Sequence, residues 1–512
     1  MFCCLNGAPG GVRGLRSTRW DEFRACPPAA AAPSRPSRSI CGVESEYDVI
    51  VIGAGAAGEN AADRVAKGGL TVALVESGLV GGACSYWACE PSKALLRPGT
   101  ALHAARRVPG SREAVTGTLD VAAVLNHRDD AVNSWDDESQ VEWVNGAGIT
   151  LVRGRARLTG AKRLTVTDAA GNHFPLAARH AVVLATGSVP SVPKVPGLQH
   201  TPYWTTPDAT SAREVPESLA ILGAGVAGSE LAQAFARLGS RVTVLARGTL
   251  LSGFPEDART LVAAGLREDG VEILEGVVPE LAEPTDDGGA RLTLPDGRTL
   301  DVAKLLVAAG RRPALDGLGL PAFGIEPGSL RVDETGLVVG NPWLYAVGDC
   351  SGRAMLTHQG KYQARITGDV IVARTHGDLD GRPSAWSRHA RTADELAVPR
   401  VVFTDPEAAM VGLSEEEAWE HGIRVRAVDL PISVAGAWQH AVDYEGWARF
   451  LVDEDRRTIV GACFAGPDVA ELLQAATIAV VGEVTLDRLW HTIPAFPTVS
   501  EVWLRFLEAY GL

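Results

Sequence analysis

The residues of this chain best suited to chemistry lie in one short stretch, Gly81-Gly82-Ala83-Cys84-Ser85-Tyr86-Trp87-Ala88-Cys89-Glu90-Pro91-Ser92-Lys93. Four residues separate the two cysteines. A structural disulfide closing so short a loop removes little unfolded-chain entropy. A redox-active pair, alternately oxidised and reduced, fits the spacing better. Pro91 reads as an early helix residue, which puts Cys89 near a helix N-terminus. There the helix dipole lowers a thiol pKa and favours the nucleophilic thiolate.

Such a pair needs a source of electrons, and the flanking elements imply one. Tyr47-Asp48-Val49-Ile50-Val51-Ile52 is a buried strand by its β-branched content. Gly53-Ala-Gly55-Ala-Ala-Gly58 follows, then a helix to Lys67 and a second strand, Leu70 to Val75, ending at Glu76. In this order the glycines permit a tight turn and close approach of a pyrophosphate. The helix N-terminus faces the phosphate charge, and Glu76 accepts from ribose hydroxyls. The unit recurs as strand Ser218 to Leu222, Gly223-Ala-Gly225-Val-Ala-Gly228, a helix through Leu238, and strand Arg241 to Leu245. The position matching Glu76 is Ala246, followed by Arg247. Losing the carboxylate and gaining an arginine leans toward NADPH over NADH; Arg247 as a solvated surface charge is the competing reading. Two dinucleotide units imply two dinucleotides, and FAD with NADPH or NADH is the natural pair.

Composition sets the frame. The chain has 512 residues, 46% apolar and 21% charged, with a formal net charge of −14. That is a globular, multidomain balance, and it excludes a broad nucleic-acid face. No apolar run reaches the length of a membrane span, so a cytoplasmic protein without a membrane span is expected. Eight cysteines are too few for a disulfide scaffold. Residues 1–46 are rich in Arg, Gly, Pro and Ala and read as a disordered extension or a start placed too early, with Val43 a plausible true start. Cys3, Cys4, Cys26 and Cys41 fall there, and Cys3-Cys4 alone is a poor metal site, so no metal is expected.

The GG-x-C-x4-C-x-P-S-K stretch after a first glycine fingerprint resembles the class I pyridine nucleotide-disulfide oxidoreductases, the flavoproteins that include dihydrolipoamide dehydrogenase, glutathione reductase and mercuric reductase. Further motifs carry the resemblance to the C-terminus: Ala185-Thr186-Gly187, Gly310-Arg311-Arg312-Pro313, Tyr345-Ala-Val-Gly348-Asp349, Leu356-Thr357-His358, Phe403-Thr404-Asp405-Pro406-Glu407 and Val411-Gly412-Leu413. The resemblance implies an α/β fold with two Rossmann-like dinucleotide-binding domains, for FAD and NAD(P), and a C-terminal α+β dimerisation domain. It implies an FAD-binding part at 47–195, an NAD(P)-binding domain at 196–315, a return to the FAD-binding or central part at 316–395, and a dimerisation domain at 396–512. It further implies that Gly53, Gly55, Gly58 and Glu76 hold the ADP half of FAD, with Thr186 and Gly187 in the same site. Asp349 would bond the ribitol chain. Cys89 becomes the charge-transfer thiolate against the flavin and Cys84 the interchange thiol. Lys93 pairs with Glu230 beside the flavin, where an ammonium stabilises negative charge on the reduced ring. Gly223, Gly225, Gly228, Arg247 and Gly310 belong to the nicotinamide nucleotide site, which Val226 covers. Cys350 and Cys463 read as packing residues.

The C-terminal segment departs from the family. Members that act on disulfides carry His-x-His-Pro-Thr-x-x-Glu, whose second histidine crosses a dimer interface to exchange protons with the interchange thiol. Here the run is His491-Thr-Ile-Pro494-Ala495-Phe496-Pro497-Thr498-Val-Ser-Glu501. Phe496 stands in the catalytic histidine's place, and Glu501 remains without its partner. Losing a positioned base costs about 10²–10⁴ in rate. His491 offers a replacement by another path, with a surface or packing histidine the preferred reading. The expected function is passage of electrons between a nicotinamide nucleotide, FAD and the Cys84–Cys89 disulfide in a homodimer. A thiol or disulfide substrate such as dihydrolipoamide is the leading expectation. A quinone or other non-disulfide acceptor is the alternative, and a flavin-binding component of a larger complex is the non-enzymatic one. Mercuric reductases also lack the histidine but carry a C-terminal cysteine pair absent from Glu508-Ala-Tyr-Gly-Leu512, which disfavours mercury.

Overall fold

The computed structural model describes residues 45–326 and 328–512. The proposed extension, with Cys3, Cys4, Cys26, Cys41 and Val43, lies outside the described residues apart from its last two positions. Those two correct the sequence boundary. The first strand is Ser45–Ile52, because Ser45 and Glu46 find ladder partners in Leu176 and Ala177 of the long strand His173–Leu184. The second strand starts at Val72, two residues later than expected.

The apolar run Val49 to Ile52 is buried on both faces, as a central parallel strand requires. It pairs in parallel with Val72–Glu76 on one side and His173–Leu184 on the other. Thr150–Arg153 extends one edge, and the antiparallel strands Arg163–Thr167 and Arg155–Gly160 extend the other. Much later in the chain Leu344–Ala346 returns to this sheet, in parallel with residues 182–184. Its return carries Asp349 to the C-terminal ends of the strands, where ligands of open α/β sheets bind.

The second unit is a parallel sheet in the order Glu272–Glu275, Arg241–Ala246, Ser218–Leu222 and Lys304–Val307. A three-stranded antiparallel sheet of Leu281–Pro284, Ala290–Thr293 and Thr299–Val302 accompanies it. The C-terminal part is a five-stranded antiparallel sheet, Arg400–Val402, Glu407–Gly412, Thr458–Gly466, Trp447–Asp453 and Val425–Pro431. Helix Val502–Tyr510 closes its core, with Phe506 stacked on Phe450 at a centroid distance of 4.1 Å. Among the described residues no helix is long and apolar enough to cross a membrane.

The two fingerprints fold alike for one steric reason. A Cβ on Gly58 would lie 1.8 Å from the Gly53 carbonyl oxygen, and one on Gly228 would lie 2.1 Å from that of Gly223. Only glycine lets each helix start this close to its strand. Gly55 and Gly225 differ: a Cβ on Gly55 meets nothing nearer than 3.8 Å, and one on Gly225 nothing within 4 Å. Gly58→Ala is therefore expected to destabilise the fold by about 3 kcal/mol through overpacking, read from chemical denaturation. Gly55→Ala should leave stability within about 1 kcal/mol yet weaken FAD retention, because its methyl group enters the open face of the turn.

Candidate active site

Cys84 lies in the short helix Gly82–Tyr86, and Cys89 is the first residue of helix Cys89–Arg106. Neither is in a disulfide, and both are half-buried. The Ala88 side chain offers that helix no cap, so the first-turn amides face the Cys89 end. The Cys89 thiol is brought down from 9.0 to about 6. The largest cause is the hydrogen bond from Cys84, joined by the Thr357 hydroxyl 3.2 Å away and the Lys93 charge; burial and Glu230 act the other way. These contacts favour the thiolate form of Cys89 at neutral pH.

Lys93 sits one turn on in the same helix and reaches back across the domain boundary. Its Nζ donates to Glu230 Oε2 at 2.6 Å. Glu230, only 3% exposed, lies on the second fingerprint helix, Val226–Arg237. Its other oxygen, Oε1, accepts from the Phe403 amide at 3.0 Å. The Lys93 ammonium also stands 4.8 Å from the centroid of the Phe403 ring. A carboxylate this buried requires such donors, since an unpaired charge in the interior is costly.

The remaining residues fit two nucleotides. Gly55 and Gly225 start their helices without a side-chain cap, leaving backbone amides to receive a phosphate. Glu76, at the tip of its strand, accepts from the amides of Ala54 and Gly78, both at 2.6 Å. Its carboxylate is thereby aimed over the turn. Asp349 accepts from the Ser188 hydroxyl and lies 4.0 Å from Arg311, which also donates to Ser188. The Thr186 hydroxyl is turned to the Ala314 carbonyl at 2.7 Å, and the Gly187 carbonyl accepts from the Ala314 amide, so both tie the two units together. At the second cradle Ala246 is buried and Arg247 exposed. Val226 is partly exposed over the turn, and the Gly310 carbonyl accepts from Ser191. This set could hold FAD at the first turn and a nicotinamide nucleotide at the second.

The C-terminal segment turns most of its side chains to the surface. Phe496 is 75% exposed and Ile493 90% exposed, and His491 also faces outward. Glu501 is buried, and among the described residues its Oε2 has no hydrogen-bond partner. Cys350 and Cys463 are buried, and burial raises both thiols, to about 11 and about 12. The residue sequence reasoning missed is Thr357. It stands in the Leu356-Thr357-His358 motif, but its partner is 268 residues away. Only its place at the start of helix Thr357–His376 hinted at a role.

Comparison with known proteins places this arrangement among relatives. Residues 47–364 match the model for pyridine nucleotide-disulphide oxidoreductases, and residues 398–505 match the dimerisation domain of the same group. The chain is 32% identical over 471 residues to a mercuric reductase of Shigella flexneri, covering 90% of this chain and 80% of that one. It is 30% identical over 474 residues to a dihydrolipoyl dehydrogenase of Geobacillus stearothermophilus, covering 90% and 96%. Among solved structures, the HOCl-induced flavoprotein disulfide reductase RclA from Escherichia coli superposes with a TM-score of 0.75 at 25% identity, covering 90% of this chain and 99% of that one.

Alkylation of Cys89 in the reduced protein, followed by mass spectrometry across pH, should rise through a midpoint near pH 6. Thr357→Val removes a hydrogen bond to the thiolate, so the midpoint should move upward and the thiolate fraction at pH 6 should fall. An unchanged midpoint would remove Thr357 from the site.

Proposed function

This chain belongs to the pyridine nucleotide-disulphide oxidoreductases, flavoenzymes that use FAD and NAD(P)H, and on that premise we propose that it is a dithiol reductase working in the NAD(P)H-oxidising direction on a disulfide substrate. One observation carries the proposal: Cys89 opens a helix within hydrogen-bond reach of both Cys84 and the Thr357 hydroxyl, with Lys93 one turn on, a setting that favours its thiolate. Lys93, one turn on from Cys89, pairs with the buried carboxylate of Glu230 on the second fingerprint helix, and that ammonium would stand beside the flavin. FAD, held at the first glycine turn, would supply the hydride-accepting chemistry that links a nicotinamide to the Cys84–Cys89 disulfide. Residues 47–195 and 316–395 would serve the flavin, 196–315 the nicotinamide nucleotide, and 396–512 the interface of a homodimer. The dimerisation-domain match and the exposed Ile493 and Phe496 support that last assignment. The paired change to Ala246 and Arg247 supports NADPH as the preferred donor.

The chain's own residues then account for the thiol steps. Reduction breaks the Cys84–Cys89 bond and leaves two sulfurs sharing one proton, with Cys84 donating to the Cys89 thiolate. Transfer of that proton to Cys89 makes Cys84 the nucleophile. Cys84 attacks one sulfur of the substrate disulfide, forms a mixed disulfide and releases the first thiolate. Cys89, after giving its proton to water, attacks Cys84, restores the internal disulfide and releases the second. The electron pair ends on the two leaving sulfurs, which take protons from water. No proton donor at position 496 is needed for thiolates to leave. The opposite direction starts from a neutral dithiol with a pKa near the usual value of about 8.5. It needs a base, which Phe496 cannot supply, and that disfavours dihydrolipoamide oxidation.

A second reading rests on Phe496 itself. An exposed aromatic side chain where a proton-exchanging group is expected suits a quinone-like acceptor that bypasses the cysteines. Steady-state NAD(P)H oxidation with small disulfides, quinones and ferricyanide separates the two. Cys84→Ser should abolish disulfide turnover, and Phe496→His should raise it, by about tenfold or more if proton exchange limits the rate. Full disulfide turnover by Cys84→Ser would overturn the dithiol route. Quinone turnover alone, unaffected by that substitution, would put the second reading in its place.

A further inference from the structure

Three consecutive residues outside the site, Asn133, Ser134 and Trp135, have φ angles of 48°, 51° and 60°. None is glycine, so each occupies a left-handed conformation that L-residues disfavour. Strain of this kind persists only where surrounding contacts over-determine it, and it concentrates where geometry matters to function.

Several contacts of this turn and the two residues after it lead to the cysteine loop. The Trp135 indole Nε1–H donates to the Tyr86 carbonyl at 3.2 Å. The Asp136 carbonyl accepts from the Tyr86 hydroxyl at 3.3 Å. Asp137 Oδ2 accepts from the Val80 amide at 2.7 Å and is fixed by Arg153 at 2.6 Å. The turn therefore grips the chain on both sides of Cys84, four residues before it and two after it. The indole ring is held in turn. The fully buried Arg128 guanidinium lies 5.4 Å from the ring centroid and Arg213 lies 5.1 Å from it, and both donate to Asp129. Arg128 also donates to the carbonyls of Thr210 and Ala212, which fixes it to the segment entering the second nucleotide unit.

We propose that the left-handed turn Asn133–Trp135, with Asp137, is a positioning brace that holds Cys84 against Cys89, with Trp135 and Asp137 as its two fixing points. The brace rests on the reading of Cys84 and Cys89 as the working pair. Releasing the Tyr86 carbonyl frees the loop between the sulfurs. Closure of the Cys84–Cys89 disulfide then becomes less favourable, and the hydrogen bond from Cys84 to Cys89 is lost part of the time. The aromatic pair Tyr86-Trp87 between the cysteines gives the brace its purchase, since the buried Tyr86 is anchored through both its carbonyl and its hydroxyl.

The test measures the dithiol–disulfide equilibrium of the full-length holoenzyme in glutathione buffers, with trapping and mass spectrometry. It also follows the pH midpoint of Cys89 alkylation. Trp135→Phe keeps the ring between the arginines but removes the donor. Asp137→Ala releases Val80. Each should lower the equilibrium constant for disulfide closure about tenfold, the order of one hydrogen bond, and move the Cys89 midpoint upward. Ser134→Gly relieves one strained residue and keeps both fixing points, so closure should stay within about twofold of wild type while Tm holds or rises. If Trp135→Phe fails to fold, Asp137→Ala decides the matter alone. Closure and midpoint unchanged in the folded variants, with only Tm lowered, would reduce the turn to a structural element and overturn the proposal. Cys84→Ser tests the underlying reading separately: normal disulfide turnover there removes the working pair itself, whatever the brace variants show.

Discussion

The contact on which the site depends is the bond between Lys93 and Glu230. It joins three parts of the chain at a single buried carboxylate. Lys93 belongs to the cysteine helix, Glu230 to the second fingerprint helix, and the Phe403 amide to the start of the C-terminal sheet. Removing one partner would leave a charge buried without compensation, so the three parts are held in mutual register. That register sets where Cys89 stands relative to both nucleotide turns. The contact that packs these three parts together therefore also fixes where Cys89 stands.

The cysteine helix Cys89–Arg106 is pinned again near its other end. His103 Nδ1 lies 2.5 Å from Asp405, and Arg237 donates to Asp405 at 2.9 Å and to Asp269 at 2.8 Å. Burial would raise the Asp405 carboxyl, but His103 and Arg237 together hold it below its usual value. Gln233 completes the junction by exchanging hydrogen bonds with the Asp405 backbone. Two anchors, ten residues apart on one helix, prevent it from tilting. The anchored helix sets where Cys89 stands, and Cys84 and Thr357 then hold its sulfur.

Much of this arrangement was legible in the sequence because its signals are local. Each fingerprint is a strand, a glycine turn and a helix in one continuous stretch, and the steric need for Gly58 and Gly228 is set by Gly53 and Gly223 nearby. The pairing of Lys93 with Glu230 came from family resemblance and is met by a 2.6 Å contact. What stayed hidden is non-local. Thr357 reaches Cys89 across 268 positions, and Trp135 reaches Tyr86 across 49. Nothing in Asn133-Ser134-Trp135 announces a left-handed turn, since none of the three is glycine. The first strand's true start was hidden for the same reason: Ser45 and Glu46 are strand residues only because Leu176 and Ala177 lie beside them.

Phe496 and Glu501 then acquire a physical meaning. A histidine at position 496 would serve to take the proton from one thiol while another attacks. On the proposed route the cysteine pair would lower that demand, because the hydrogen bond from Cys84 helps bring the Cys89 thiol down to about 6. A reductase whose products leave as thiolates can dispense with an external acid, at some loss of rate for poorly leaving groups. Glu501 keeps its buried place, where its carboxylate has a free oxygen and no imidazole to orient. On the proposed route the burden borne in other family members by a side chain from outside the loop would fall on the loop itself, on how closely two sulfurs are held. A loop gripped on both sides of Cys84 by a strained turn is the construction that such a shift of burden requires.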